Sequence, residues 1–202
     1  MIVIEGTVGV GKTSLLELLV GEGYVPFREP VIDNPILDKF YHNRKRYAFA
    51  SQVFFLNRRF EQLQASKDIK NVVMDRSIYG DAIFASLLNE NRELSDVEYE
   101  IFKELSDNLA RNVRKPKLMI YLEASTDEAI RRIGIRGRDY EQEVEREYWR
   151  KLNEKYQEFF DNYDVSPILR INVDKLDFKN NFNDREYIMN KIKEKIKEIE
   201  VN

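Results

Sequence analysis

Ile2-Val-Ile-Glu5 runs directly into Gly6-Thr7-Val8-Gly9-Val10-Gly11-Lys12-Thr13, and Ser14-Leu-Leu-Glu-Leu-Leu19 continues at helical spacing. A short apolar run, the pattern G-x-x-x-x-G-K-[ST] and a helix start form the strand, loop and helix context in which that pattern cradles nucleoside phosphates. The glycines let backbone N–H groups turn inward around phosphate oxygens, and the helix N-terminus adds favourable potential. Residues 6–13 are therefore expected to hold ATP. Lys12 would neutralise the β- and γ-phosphates, and the Thr13 hydroxyl would take one position on Mg²⁺. A glycine-rich turn that binds nothing is the plain alternative, and the completeness of the pattern argues against it.

Outward from this loop, strand-length apolar runs recur at Val72–Met74, Leu118–Leu122 and Ile168–Ile171, with a weaker one at Tyr24–Arg28. Between them lie stretches at helical spacing. Phe49, Val53, Leu56, Phe60 and Leu63 step by three or four and mark one buried face of a helix over Tyr47–Leu63. Ser95-Asp-Val-Glu98 and Ser125-Thr-Asp-Glu128 read as capping boxes that open helices. Glu143–Tyr163, with Trp149, reads as helix and core packing, and Lys191–Glu200 as an amphipathic final helix with a solvated charged face. Strands alternating with helices predict one α/β domain with a parallel sheet covered on both sides.

Composition narrows the function classes. The 202 residues are 43% hydrophobic and 34% charged, enough for one sizeable core and incompatible with a disordered chain. The longest uncharged run, Tyr47 to Asn57, is far short of the roughly 20 residues that span a bilayer. No basic region precedes the apolar start, so neither a secretory signal nor a membrane partner is expected. The absence of cysteine removes disulfides, thiolate nucleophiles and Cys-ligated zinc together. The single histidine, His42, is expected in an exposed loop and argues against a His-ligated metal. With 33 basic and 36 acidic residues, net −3, the chain offers no excess positive field for nucleic acid. A soluble, cytoplasmic globular protein is the expectation.

No N-K-x-D tetrapeptide accompanies the phosphate loop, which argues against a GTPase and towards a small-molecule kinase. Arg28-Glu29-Pro30 and Asp75-Arg76-Ser77 each follow a predicted strand, so Glu29 and Asp75 are placed to reach a γ-phosphate, its magnesium or an acceptor hydroxyl. Alone, either carboxylate could simply cap a helix. Arg132 and Arg136 share a helical face, Arg138 follows, and Gly134 and Gly137 lie among them, as suits a mobile lid over a transferring phosphate. On the helix from Tyr47, Gln52 and Arg59 lie seven residues apart and so nearly in line, with Phe55 between them. That strip could read a nucleobase, or Gln52 could be a satisfied core amide.

In order, Glu5–Thr13, Arg28-Glu-Pro-Val31, Asn34-Pro-Ile-Leu-Asp-Lys-Phe-Tyr41, Gln52 with Arg59, Asp75-Arg-Ser-Ile-Tyr-Gly-Asp81 and Arg136-Gly-Arg138 resemble the deoxynucleoside kinases, most closely the short bacterial branch acting on deoxyadenosine, deoxycytidine and deoxyguanosine. The resemblance covers nearly the whole chain. It implies a single domain over residues 1–202: a three-layer P-loop kinase fold, five parallel strands with helices on both faces, and an arginine-rich lid at about residues 132–142. It further implies a homodimer in nucleotide salvage that phosphorylates the 5′-hydroxyl of a deoxyribonucleoside, deoxyadenosine first, with ATP and Mg²⁺.

By the same resemblance Glu29 would accept the 5′-hydroxyl proton, with Asp75 its rival. Arg76 would hold the transferring phosphate and the 5′ oxygen, and Asp75 would contribute to the magnesium shell. Tyr41 and Glu141 would hold the sugar 3′-hydroxyl, Gln52 would pair with the base edge, and Phe55 would lie near the base. Arg59 and Asp81 would favour amino-bearing bases over thymine. Arg132, Arg136 and Arg138 would reach the ATP phosphates, and Asp177 and Phe178, in Leu176-Asp-Phe178, would cover the donor adenine. Gly80 beside Asp81 predicts a looser base pocket. The two competing readings are a thymidylate-type nucleoside monophosphate kinase and a P-loop protein that binds nucleotide without turnover.

Overall fold

A computed structural model describes residues 1–31 and 34–201. Its five strands are β1 (Ile2–Glu5), β2 (Val25–Phe27), β3 (Val72–Asp75), β4 (Leu118–Glu123) and β5 (Ile168–Asn172). They form one sheet in the order β2-β3-β1-β4-β5, every pair parallel. All five predicted strands are present, each within two residues of the expected bounds.

Alternation along the central strands splits the core in two. Ile2, Ile4, Val73, Leu118, Ile120 and Leu122 enter one apolar cluster, with Leu15, Leu16 and Leu19 of α1 (Lys12–Gly21) and Ile188, Met189 and Ile192 of α9 (Phe182–Val201). Val3, Val72, Met74, Met119 and Tyr121 enter the other. There they meet α3 (Arg44–Ala65), α4 (Ile78–Glu90), α5 (Asp96–Ala110) and α8 (Arg146–Asp161). Because both faces are covered, the central strands read as unbroken apolar runs. The final helix begins nine residues before the predicted Lys191, since Phe182–Asn190 carry no lysine-rich face to mark them.

Two sequence expectations are corrected. His42 is exposed but closes a short helix, α2 (Leu37–His42), with Nδ1 2.8 Å from the Asp38 carbonyl. Of the two expected capping boxes only the first closes reciprocally: Ser95 Oγ accepts from the Glu98 N–H while Glu98 Oε2 accepts from the Ser95 N–H. Ser125 caps α6 (Thr126–Arg136) by accepting from the Glu128 N–H, but the Glu128 carboxylate is drawn away by Arg131 and Arg132.

The register sets the site. Ile4 pairs with Asp75, Glu5 with Tyr121 and Phe27 with Met74, so the carboxyl ends of β1, β2 and β3 finish side by side. That edge of a parallel sheet is where ligands bind. Ser95→Ala should cost about 1 kcal/mol, as loss of a helix cap does, read as a lower urea midpoint at unchanged slope; an unchanged midpoint would mean that the box contributes nothing in solution.

Candidate active site

The carboxyl edge of the sheet opens into a cavity of about 800 Å³, a size suited to small-molecule ligands. One end is the loop between β1 and α1. Gly9 there has φ 88°, and a Cβ on it would lie 2.5 Å from the Ala129 carbonyl oxygen, so only glycine fits. Lys12 Nζ donates to the carbonyls of Gly6 and Thr7 at 3.0 and 2.8 Å. Burial, with Arg76 nearby, lowers its pKa to about 7 against the pull of Asp75, Glu29 and Glu5. The Thr13 hydroxyl donates to Asp75 Oδ2 at 2.7 Å, and Asp75 Oδ1 is buried without a partner. Burial and the neighbouring Glu29 push the Asp75 carboxyl up.

Beyond the loop, two arginines converge on one carboxylate oxygen. Arg76 Nε lies 2.8 Å and Arg59 Nη2 3.1 Å from Glu29 Oε1. Burial alone would raise the Glu29 pKa, but Arg76, Arg59, Lys12 and Arg138 hold it down at about 2. Arg59 also pairs with Asp81 and lies 4.9 Å from the Phe55 ring centre. Burial pushes the Asp81 carboxyl up to about 7 even with Arg59 against it. Arg59 Nε and Asp81 Oδ2 are both buried without a hydrogen bond. Gln52 is buried at the cavity wall, and its amide makes no hydrogen bond to the described protein. It is therefore not a satisfied core amide, and the strip of Gln52, Phe55 and Arg59 faces one space as its spacing predicts.

The lid residues are brought to the same cavity, but tied to protein. Arg136 pairs with the buried Glu141, and Arg138 Nη1 lies 3.3 Å from it. Glu141 sits in the short helix α7 (Asp139–Gln142), whose Tyr140 ring stacks on Tyr41 at 4.9 Å. Arg132 donates to the carbonyls of Val10, Val173 and Leu176 at 3.1, 2.6 and 3.1 Å and to Glu128 at 2.6 Å. In this state it fastens the phosphate loop to the wall after β5. Phe178 packs on Gly11, with 2.8 Å between its ring tip and the place a Cβ would occupy. The Asp177 carboxylate accepts from the Asn180 N–H and side-chain amide, at the cavity rim.

Sequence reasoning missed Glu5, Phe84 and Tyr156. Glu5 is fully buried, and Phe84 and Tyr156 flank the Arg76 guanidinium at 5.2 and 5.8 Å. A carboxylate ending an otherwise apolar strand was the available signal for Glu5; nothing in helical spacing marks the two rings. The looser base pocket expected from Gly80 is not what that glycine provides. A Cβ at Gly80 would lie 2.5 Å from Glu5 Oε1, so the space is filled by a carboxylate.

Among the described residues no cluster of three His, Cys, Asp or Glu side chains gathers to hold a metal, and no helix is long and apolar enough to cross a membrane. Residues 2–197 match the family model described as deoxynucleoside kinase. A deoxyguanosine kinase of Lactobacillus johnsonii is 39% identical, covering 98% of this chain and 93% of its own. A deoxyadenosine kinase of Lactobacillus acidophilus is 36% identical, with 98% and 97% covered. The structure of deoxyadenosine kinase from M. mycoides with bound dATP superposes with TM-score 0.84 at 34% identity, covering 95% of this chain and 98% of its own.

Because its folded pKa lies below the ordinary carboxylate value, Glu29 contributes stability above pH 4.5 that is lost as pH falls towards 2. Carboxylate NMR of the free protein should find Glu29 titrating at about 2. Arg59→Gln should move it upward, and an ordinary value in the unaltered protein would show that the two arginines do not hold it in solution.

Proposed function

Because the chain belongs to the deoxynucleoside kinase family, we propose that it transfers the γ-phosphoryl group of ATP to the 5′-hydroxyl of a deoxyribonucleoside, deoxyadenosine first, with deoxycytidine and deoxyguanosine behind, in nucleotide salvage. One observation carries the residue assignment: a single cavity joins the Lys12, Thr13 and Asp75 end to the Glu29 and Arg59 end, where Asp81 backs Arg59 from behind the wall.

The reaction needs positioning and charge neutralisation more than covalent chemistry. The 5′ oxygen attacks the γ-phosphorus in line, the bond to the ADP oxygen breaks, and the hydroxyl proton passes to Glu29. A carboxylate held at about 2 is ionised at neutral pH and accepts the hydroxyl's hydrogen bond throughout. Asp75, pushed up and bonded to Thr13, is better suited to the metal side. The Thr13 hydroxyl and the Asp75 carboxylate, with its orphaned Oδ1, fit Mg²⁺. When bound it would neutralise charge on the β- and γ-phosphates. Lys12 would exchange its carbonyl partners for phosphate oxygens. Arg136 and Arg138 would leave Glu141 for the phosphates, freeing Glu141 with Tyr41 for the sugar 3′-hydroxyl.

Base choice rests on the unpaired atoms. Arg59 Nε is a donor without an acceptor and Asp81 Oδ2 an acceptor without a donor. Once the Arg59–Asp81 pair turns towards the cavity, a base edge that pairs a ring nitrogen with an amino group would complement both, whereas the thymine 4-oxygen would face the Asp81 carboxylate. The Gln52 amide supplies the second donor and acceptor pair. A cytoplasmic homodimer completes the proposal: α5 presents Val97, Ile101 and Leu105 to solvent at helical spacing, an apolar stripe a second copy could cover.

With Mg²⁺ and one acceptor at a time, the purified protein should consume ATP on deoxynucleosides and stay silent on deoxynucleoside monophosphates; the reverse pattern would sink the assignment. Lys12→Ala should abolish turnover. Glu29→Gln should lower kcat by about 10²–10⁴-fold, the usual weight of a general base, with ATP affinity little changed; a near-normal rate would move the base to Asp75. Arg59→Met should loosen selectivity towards thymidine, and unchanged selectivity would refute the base-edge argument.

A further inference from the structure

Glu5 closes β1, lies wholly out of water and has no part in the reaction steps assigned to the cavity. Its Oε1 accepts from the N–H of Ser77, the residue that opens α4, at 2.8 Å. Its Oε2 lies 3.6 Å from Arg76 Nη1 and has no hydrogen-bond partner. Gly80, in the first turn of α4, presses on the same carboxylate: a Cβ there would come within 2.5 Å of Oε1 and 2.8 Å of Oε2. A buried carboxylate with an unsatisfied oxygen and a glycine inside a helix are each unfavourable on their own. Here they meet at one contact, and that contact holds Arg76.

Arg76 is a non-glycine residue at φ 70°, a left-handed conformation that needs support from its surroundings. The support comes from β1. The Arg76 N–H donates to the Ile4 carbonyl at 2.9 Å, and the next N–H donates to Glu5. The guanidinium is also fixed along one edge. Nη1 donates to the Gly6 carbonyl at 3.1 Å and to the Tyr156 hydroxyl, beside Glu5, while Nε lies 2.8 Å from Glu29. Nη2 has no hydrogen-bond partner among the described residues, and Arg76 lines the cavity wall. Among the described residues, the carboxylates paired with Arg76 are thus Glu5 and Glu29. Without Glu5 the guanidinium would be drawn wholly towards Glu29, the group that has to accept the substrate proton.

We propose that Glu5 is a positioning residue for phosphoryl transfer. It clamps the Asp75-Arg76-Ser77 turn and shares the Arg76 charge with Glu29, from a notch that exists because residue 80 is glycine. The inference rests on Arg76 acting on the transferring phosphate, and the test separates the two.

Glu5→Gln keeps the volume and an acceptor for the Ser77 N–H but removes the charge. Its kcat should fall about tenfold or more while KM for ATP stays within about twofold, the pattern of a lost transition-state interaction. Because a buried charge beside Arg76 is removed, the thermal midpoint should fall as well, so kcat is taken per folded molecule. Gly80→Ala, which drives a methyl group into the carboxylate, should lower kcat in the same way. Arg76→Lys should lower kcat by itself, and adding Glu5→Gln to it should cost little more, since both act through one group. Full kcat in Glu5→Gln overturns the proposal. So does a loss that multiplies independently with that of Arg76→Lys, or a lowered midpoint with unchanged kcat per folded molecule. An Arg76→Lys variant with full kcat strikes the role given to Arg76 instead, and the proposal falls with it. Should Glu5→Gln fail to fold, Glu5→Asp, which keeps the charge on a shorter arm, should give the same kcat and KM pattern more weakly, and full activity there overturns the proposal equally.

Discussion

The Arg76 guanidinium, lodged between Glu29, Glu5, the Gly6 carbonyl and the Tyr156 hydroxyl, is the contact on which the site's geometry depends. Taking charged groups out of water is costly, and removing one member of such a set leaves the others uncompensated. Glu5, Asp75 and Asp81 with Lys12, Arg59 and Arg76 are nearly all buried, and Glu29 stands beside them partly open to the cavity. Each charge therefore rests on its neighbours, and for Glu5 and Arg76 the Ser77 N–H, the Gly6 carbonyl and the Tyr156 hydroxyl supply part of that support. The electrostatics also suit the chemistry. In the proposed reaction, a carboxylate held low between two arginines would be a weak base that needs no deprotonation before substrate arrives, and a loose phosphoryl transfer would ask little more of it.

The sheet explains why these charges meet. β1, β2 and β3 finish in register, which puts Glu5, the segment leading to Glu29 and the Asp75-Arg76 pair along one edge. That much was legible in the chain, because a phosphate-loop pattern between a strand and a helix, and acidic residues after apolar runs, both arise from short-range rules. Gln52, Phe55 and Arg59 could likewise be placed on one face by helical spacing alone, though only the structure showed the Gln52 amide to make no hydrogen bond among the described residues.

What was not legible depends on contacts between residues far apart in the chain. Two strands and three helices separate Glu5 from Gly80, and neither residue looks unusual until the carboxylate is seen to fill the space where a Cβ would be. Glu128 was readable as half of a capping box, yet two arginines on its own helix outcompete the backbone N–H for it. The start of the last helix escaped because Phe182 and Tyr187 are exposed and carry no periodic apolar signal.

Arg132 ties the carbonyls of Val10, Val173 and Leu176 to α6, so the phosphate loop, that helix and the wall over the donor side form one braced body. The first break in this bracing is Gly137, in the left-handed conformation after α6, and between it and the link to α8 lie Arg138 and the single turn of α7. A lid hinged there would be a few residues rather than a domain. Opening and closing such a lid would fall in the microsecond-and-slower range, so turnover would be as sensitive to the hinge at Gly137 as to the reacting groups.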